Sequence, residues 1–251
     1  MSTTNVGVPV LAVQTSAAKR RRGLLDQYFY FLMALLIPAI VVYGFSFTIG
    51  KNLIHPVIPR PSILYVHAAV FSGWLAFFLL QSALVRTRNV NWHRSIGWFG
   101  AAFGGLIPVV GVATAIAMAR FDIAQLHQSH VEMDLMIPLW DMAAFTAAFA
   151  LAICWRQKPE YHRRLVLIAT CSLTAAAFGR FPPYLLNPVF FYAGVDLLVL
   201  FGAVRDCVVC RKIHPVYLYA LPALIAGQAI VMYTNTHDLQ YWLRFARAIL
   251  A

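Results

Sequence analysis

Charged side chains are scarce in this sequence. Only 12% of its 251 residues are Asp, Glu, Lys or Arg, against roughly 25% in a soluble domain. That shortage excludes a chain that wraps a compact core in a solvated surface. Acids are scarcer still: 9 Asp and Glu stand against 20 Lys and Arg, and none lies among the first 24 residues. Cysteine is limited to Cys154, Cys171, Cys207 and Cys210. None falls in a segment expected to face an oxidising compartment, so no disulfide framework is implied. Cys207-Val-Val-Cys210 has redox or metal spacing, but without a second pair it reads as packing. Catalytic signatures are also missing: there is no G-x-S-x-G, H-E-x-x-H, phosphate loop or dinucleotide fingerprint. No lysine lies in a late apolar run, which excludes a retinal Schiff base. Period-two alternation is lacking as well, which excludes a barrel.

What the chain does have is long apolar runs. It is 61% hydrophobic, with a mean hydropathy of +0.71. A helix needs roughly 20 apolar residues to cross about 30 Å of hydrocarbon. Seven runs qualify, at about 27–50, 62–85, 96–119, 134–155, 165–186, 189–204 and 215–234. The expected fold is therefore all-α: a polytopic integral membrane protein with a seven-helix bundle at residues 25–235. Residues 1–24 read as a disordered cytoplasmic tail ending in Lys19-Arg20-Arg21-Arg22. Residues 236–251 carry a stripe of Leu239, Trp242, Leu243, Ala246, Ile249 and Leu250, with Asp238, Arg244 and Arg247 off it. They read as an outer-face amphipathic interfacial helix capped by Thr236.

The net charge of +11 sits in loops, so it speaks for topology and not for nucleic acid. With the N-terminus inside, Lys51, Arg60, Arg120, Arg180, Arg244 and Arg247 fall outside and the other 14 of the 20 basic residues fall inside. Basic residues concentrate on the cytoplasmic side, so the expected orientation is N-in, C-out, in a cell inner membrane.

Histidines open the second helix of three expected hairpins. They occur in His93-Arg94-Ser95-Ile96-Gly97, His162-Arg163-Arg164-Leu165 and His214-Pro215. Three related hairpins after a first helix would explain this layout. His93, Arg94, His162, Arg163 and His214 are read as structural, serving helix starts and lipid headgroups. Gly100 and Gly104 form a GxxxG pair suited to close helix packing.

The second run places His67, Trp74 and Gln81 seven residues apart, on one helical face. Ionisable residues inside a membrane are costly and belong in the bundle interior. His67, Asp141, Arg180 and Asp196 qualify, with Trp74 beside His67, and are the expected ligand-binding set. Arg180 is a candidate counter-charge for either aspartate. His127, His130 and Asp134 would stack on one side if their segment were helical. With His67 they form the expected metal set, and His67 with His127 or His130 is the expected haem pair.

Together these motifs resemble a family of uncharacterised bacterial multi-span inner-membrane proteins. The residues that carry the resemblance are His67, Trp74, Gln81, His93, Arg94, Gly97, His162, Arg163, Arg180, Asp196, Asp206, His214 and Pro215, across 62–219. The resemblance implies a small helical bundle in an inner membrane and supplies no activity.

Three functions remain open. The first is an outward-facing polar cavity that binds or transports a small polar or charged ligand, or protons. The second is a metal- or haem-dependent oxidoreductase or hydrolase. The third is a structural subunit of a membrane complex. The expected partners are the lipid bilayer and a small-molecule or ion ligand, with a homo-oligomer or larger complex both compatible.

Overall fold

The computed structural model describes residues 24–237 and 239–251. The expected tail therefore lies outside the described residues except for Leu24, and so does Asp238. The described chain is all helical: α1 (Leu24–Ser46), α2 (Ser62–Arg86), α3 (Val90–Leu126), α4 (Val131–Asp134), α5 (Met136–Cys154), α6 (Pro159–Ser172), α7 (Ala175–Phe178), α8 (Phe191–Cys210), α9 (Pro215–Thr236) and α10 (Gln240–Leu250). Five helical stretches are long and apolar enough to cross a membrane: Gln27–Ser46, Ser62–Arg86, Val90–Leu126, Val131–Cys154 and Pro215–Thr236. Multi-pass membrane character follows from these lengths, since only internally hydrogen-bonded helices can present such surfaces to lipid. Their outer faces are apolar: Val42, Trp98, Phe99, Val109 and Ile230 are all exposed.

Two expected runs come out differently. Run 165–186 is not one helix. The hydroxyls of Thr170, Ser172 and Thr174 bond back to the carbonyls of Val166, Ala169 and Cys171. Such back-bonding competes with the helical ladder, and α6 stops at Ser172. The four-residue α7 then carries the chain to Gly179, ahead of Pro182-Pro183, where two N–H donors are missing. Run 189–204 becomes α8, shifted to Phe191–Cys210, which takes in Arg205 and Asp206.

Helix α3 is longer than expected, at 37 residues, or about 55 Å. It runs seven residues past the expected run 96–119, to Leu126, and ends only at His127, whose φ is 48°. His130 begins α4, also left-handed, at φ 68°. These two breaks end the helical register that would have stacked His127, His130 and Asp134.

Three antiparallel hairpins, α2/α3, α5/α6 and α8/α9, pack on one another, and each touches α1 through one helix, α2, α6 or α8. His93 and His162 lie in the first turns of α3 and α6, and His214 caps α9. Its Nδ1 accepts the Val216 N–H at 3.3 Å. Burial, and then the Arg164 charge, push the His214 pKa below the usual histidine value. The unfolded chain thus takes up a proton near pH 6.5 that the folded chain resists. Stability should fall as pH drops through that value and level off once the folded ring is protonated. His214→Asn keeps a capping acceptor and should flatten this part of a melting-temperature profile.

The GxxxG glycines of α3 meet rings, not backbone. A Cβ at Gly100 would overlap Phe77, and one at Gly104 would overlap Phe149. The close backbone approach occurs instead at Gly44 of α1, which sits against the main chain of Ala177.

Helix α10 is seated on protein along its apolar stripe. Ala246 is fully buried beside Ala119, Val131 and Leu135. Trp242 Nε1 donates to the Glu132 carbonyl at 2.8 Å, and Arg120 donates to the carbonyls of Ile249 and Leu250. Tyr241 and Phe245 remain exposed. Thr236 ends α9 and does not cap α10, whose first turn follows Leu239.

Candidate functional site

Close contacts set the depth of each polar residue. Between α2 and α3, Phe77 lies over Gly100, Trp74 meets Phe103 at 6.2 Å between ring centroids, and Phe71 reaches Gly111. Between α3 and α5, Gly104 meets Phe149 and Gly111 meets Met142. Both pairs are antiparallel, so α2 and α5 run the same way. Trp74 is level with Phe145 and Phe149, edge-on to each at 5.5 and 5.4 Å. Two turns nearer the α2 start, His67 stacks on Phe71 at 3.9 Å. This register puts His67 at the depth of Asp141.

The polar layer at this His67 end has two parts. Asp141 is buried in α5, and its Oδ1 accepts the Tyr192 hydroxyl of α8 at 3.1 Å. One turn on, Asp196 Oδ1 accepts Gln228 Nε2 of α9 at 3.0 Å. The sequence Asp141–Tyr192–Asp196–Gln228 thus ties α5, α8 and α9 together. The α5–α9 contact itself is tight, because Trp140 fills the space a Cβ at Gly227 would need. Arg180 lies within electrostatic range of His67. Its guanidinium rests over Phe45 at 4.4 Å and donates to the Ala176 carbonyl. It does not pair with either aspartate. Among the described residues, neither Asp141 nor Asp196 has any cation within salt-bridge distance.

The expected metal set is not assembled. Among the described residues, no three of His, Cys, Asp and Glu gather in a way that could hold an ion. His127 and His130 are exposed in the α3–α4 turn, and Asp134 accepts from Asn235 at 3.0 Å. His67 is part-buried against Phe71, so no facing histidine pair forms with them inside the bundle. Trp74 belongs to the middle of the molecule: it is 3% exposed, within the aromatic layer of Phe103, Phe145 and Phe149.

The opposite end holds the residues read as structural, together with a buried ionic cluster that sequence reasoning passed over. Arg164 and Asp206 form a two-pronged pair, Nε to Oδ2 and Nη2 to Oδ1, both at 2.8 Å. Arg205 Nη1 adds a bond to Asp206 Oδ1 at 2.9 Å. Arg164 Nη1 also reaches the Glu160 carbonyl and side chain at 2.6 and 2.7 Å. Burial would raise the Glu160 pKa, but the hydrogen bond from Arg164 and the nearby arginine charges outweigh it and hold it low. Arg163 binds Glu160 and lies over Tyr30, while Arg94 is exposed. The signal for the cluster was Asp206 itself, an acid in an acid-poor chain placed among arginines.

Beside the cluster, the His93 and His162 rings lie 6.4 Å apart. His162 Nδ1 meets the Ala152 carbonyl at 2.9 Å, and His214 packs edge-on to Tyr161 at 4.6 Å.

No family model, curated protein or solved structure matches this chain. The fold and site define a multi-pass helical bundle with polar groups at both ends of an aromatic layer.

Proposed function

We propose that the chain is a seven-span protein of a bacterial inner membrane, N-in and C-out, whose polar layer at the His67 end opens outward and binds a small charged ligand, the proton foremost. The observation that carries this reading is Asp141 and Asp196: two carboxyl groups, on α5 and α8, that among the described residues are bonded only to the neutral Tyr192 and Gln228. A charge costs about 2.5–3.5 kcal/mol at mid-membrane by insertion scales. A purely structural network would neutralise that cost with Arg180, which points elsewhere. Carboxyls held by neutral donors instead take up a proton or small cation. Two further features support the count and the orientation: α8 is 20 residues long, enough for about 30 Å, which adds a sixth span to the five and leaves α6 and α7 in tandem as the seventh, and the basic residues are biased to one side.

Infrared spectroscopy of the protein in lipid nanodiscs tests the reading. The wild type should show a protonated-carboxyl stretch near neutral pH that shifts in D2O. Asp141→Asn and Asp196→Asn should each remove part of it. A wild-type spectrum without that band from pH 5 to 8 would sink the proposal in favour of a scaffold.

A further inference from the structure

The face of α2 that carries His67 continues past the aromatic layer. His67, Trp74 and Gln81 are each separated by seven residues, or about 10 Å along the axis. Every one of them has a buried polar atom with no protein hydrogen-bond partner: His67 Nδ1, Trp74 Nε1, and both Oε1 and Nε2 of Gln81. His93 Nδ1 is in the same condition. Each such atom left unsolvated forfeits its desolvation cost without return. Four lie on one face of α2 and the fifth beside them on α3, and buried polar atoms as a rule have a partner, so this strip is where water or a proton would be held.

Gln81 lies at the depth of His93 and His162. The register places it about two turns below the level of Phe145 and Phe149, where Ala152 holds His162. If the Ala152 carbonyl takes the His162 Nδ1–H, His162 Nε2 is left as an acceptor. The charged and titratable groups facing His93 are His162 of α6 and Arg94 of its own helix.

We propose that Gln81, His93 and His162 form the inner mouth of a proton path whose outer mouth is the His67–Asp141 layer, with Trp74, Phe145 and Phe149 as the barrier between them. The step is proton transfer alone: hydrated protons enter at one polar layer and leave at the other when the rings part. This rests on the proton reading of Asp141 and Asp196 given above, and it adds the route, the second mouth and the gate.

The test uses the full chain in liposomes with a trapped pH dye and a potassium diffusion potential as the driving force. Trp74→Ala should raise proton flux several-fold over wild type, as should Phe145→Ala. Adding Gln81→Leu and His93→Leu to Trp74→Ala should return flux to that of protein-free vesicles. Flux that is unchanged in both barrier variants, or that survives loss of Gln81 and His93, overturns the path. Should neither barrier variant fold, a second measurement decides. With the four native cysteines replaced by serine, a small water-soluble thiol reagent should modify His67→Cys from one side only and Gln81→Cys from the other only. Labelling of both from the same side, or of neither, overturns the proposal. A carboxyl infrared band without flux removes the path and leaves the outer site standing. Flux without the band overturns the outer mouth as drawn, because Asp141 and Asp196 then hold no proton, and leaves only the Gln81–His93–His162 mouth and the aromatic barrier standing.

Discussion

Asp206→Ala should be the most damaging single substitution in the described chain, at a cost of about 3–5 kcal/mol. The Asp206 side chain is fully buried, and its two oxygens serve Arg164 and Arg205, which are 1% and 2% exposed. Alanine removes the carboxylate and leaves two guanidiniums in an apolar setting with fewer acceptors. Arg164 keeps Glu160, which tempers the loss on that side. The expected result is a steep fall in melting temperature in detergent, or no monodisperse protein at all. A paired replacement, Arg164→Met with Asp206→Leu, should recover part of the loss, because two apolar side chains of similar volume escape the desolvation cost. If Asp206→Ala melts within a degree or two of wild type, the cluster is not what joins α6 to α8.

Gly44→Val should cost nearly as much, about 1–3 kcal/mol for overpacking and toward the upper end here. A Cβ at Gly44 would overlap the carbonyl oxygen and carbonyl carbon of Ala177. A ring can swing aside, as Phe77 or Phe149 could for the α3 glycines, but a main-chain carbonyl cannot move without moving α7. Helix α7 is only four residues long and is pinned between α1 and α8. The displacement would therefore reach Arg180 and the loop that follows. Gly100→Val is the control: the same substitution against the Phe77 ring should cost less. If the two variants melt alike, the backbone contact at Gly44 is not the tighter of the two.

Several features were legible in the chain because they depend on local composition. The helix starts at Ser62 and Pro215 agree with the expected runs, since apolar length and proline at a first turn are local properties. The break of α6 at Ser172 was not read from the sequence. Three hydroxyls at the break, on Thr170, Ser172 and Thr174, bond to carbonyls three or four residues back and compete with the ladder, and an apolar run looks unbroken until those rotamers are known. The metal set failed for a similar reason. Spacing alone stacks His127, His130 and Asp134, but left-handed residues at 127 and 130 undo the stack.

The sequence by itself determined that the chain is helical and apolar enough to span a membrane several times. It also determined that acids and arginines inside the bundle must meet partners, because stranded charge in lipid is costly. Which partners they meet was decided by tertiary structure alone. Asp206 took Arg164, Asp141 took a neutral tyrosine, and Arg180 took an aromatic ring and a carbonyl. Charge balance permitted other pairings. The choice among them rests on depth and helix register, which a count of charges does not contain.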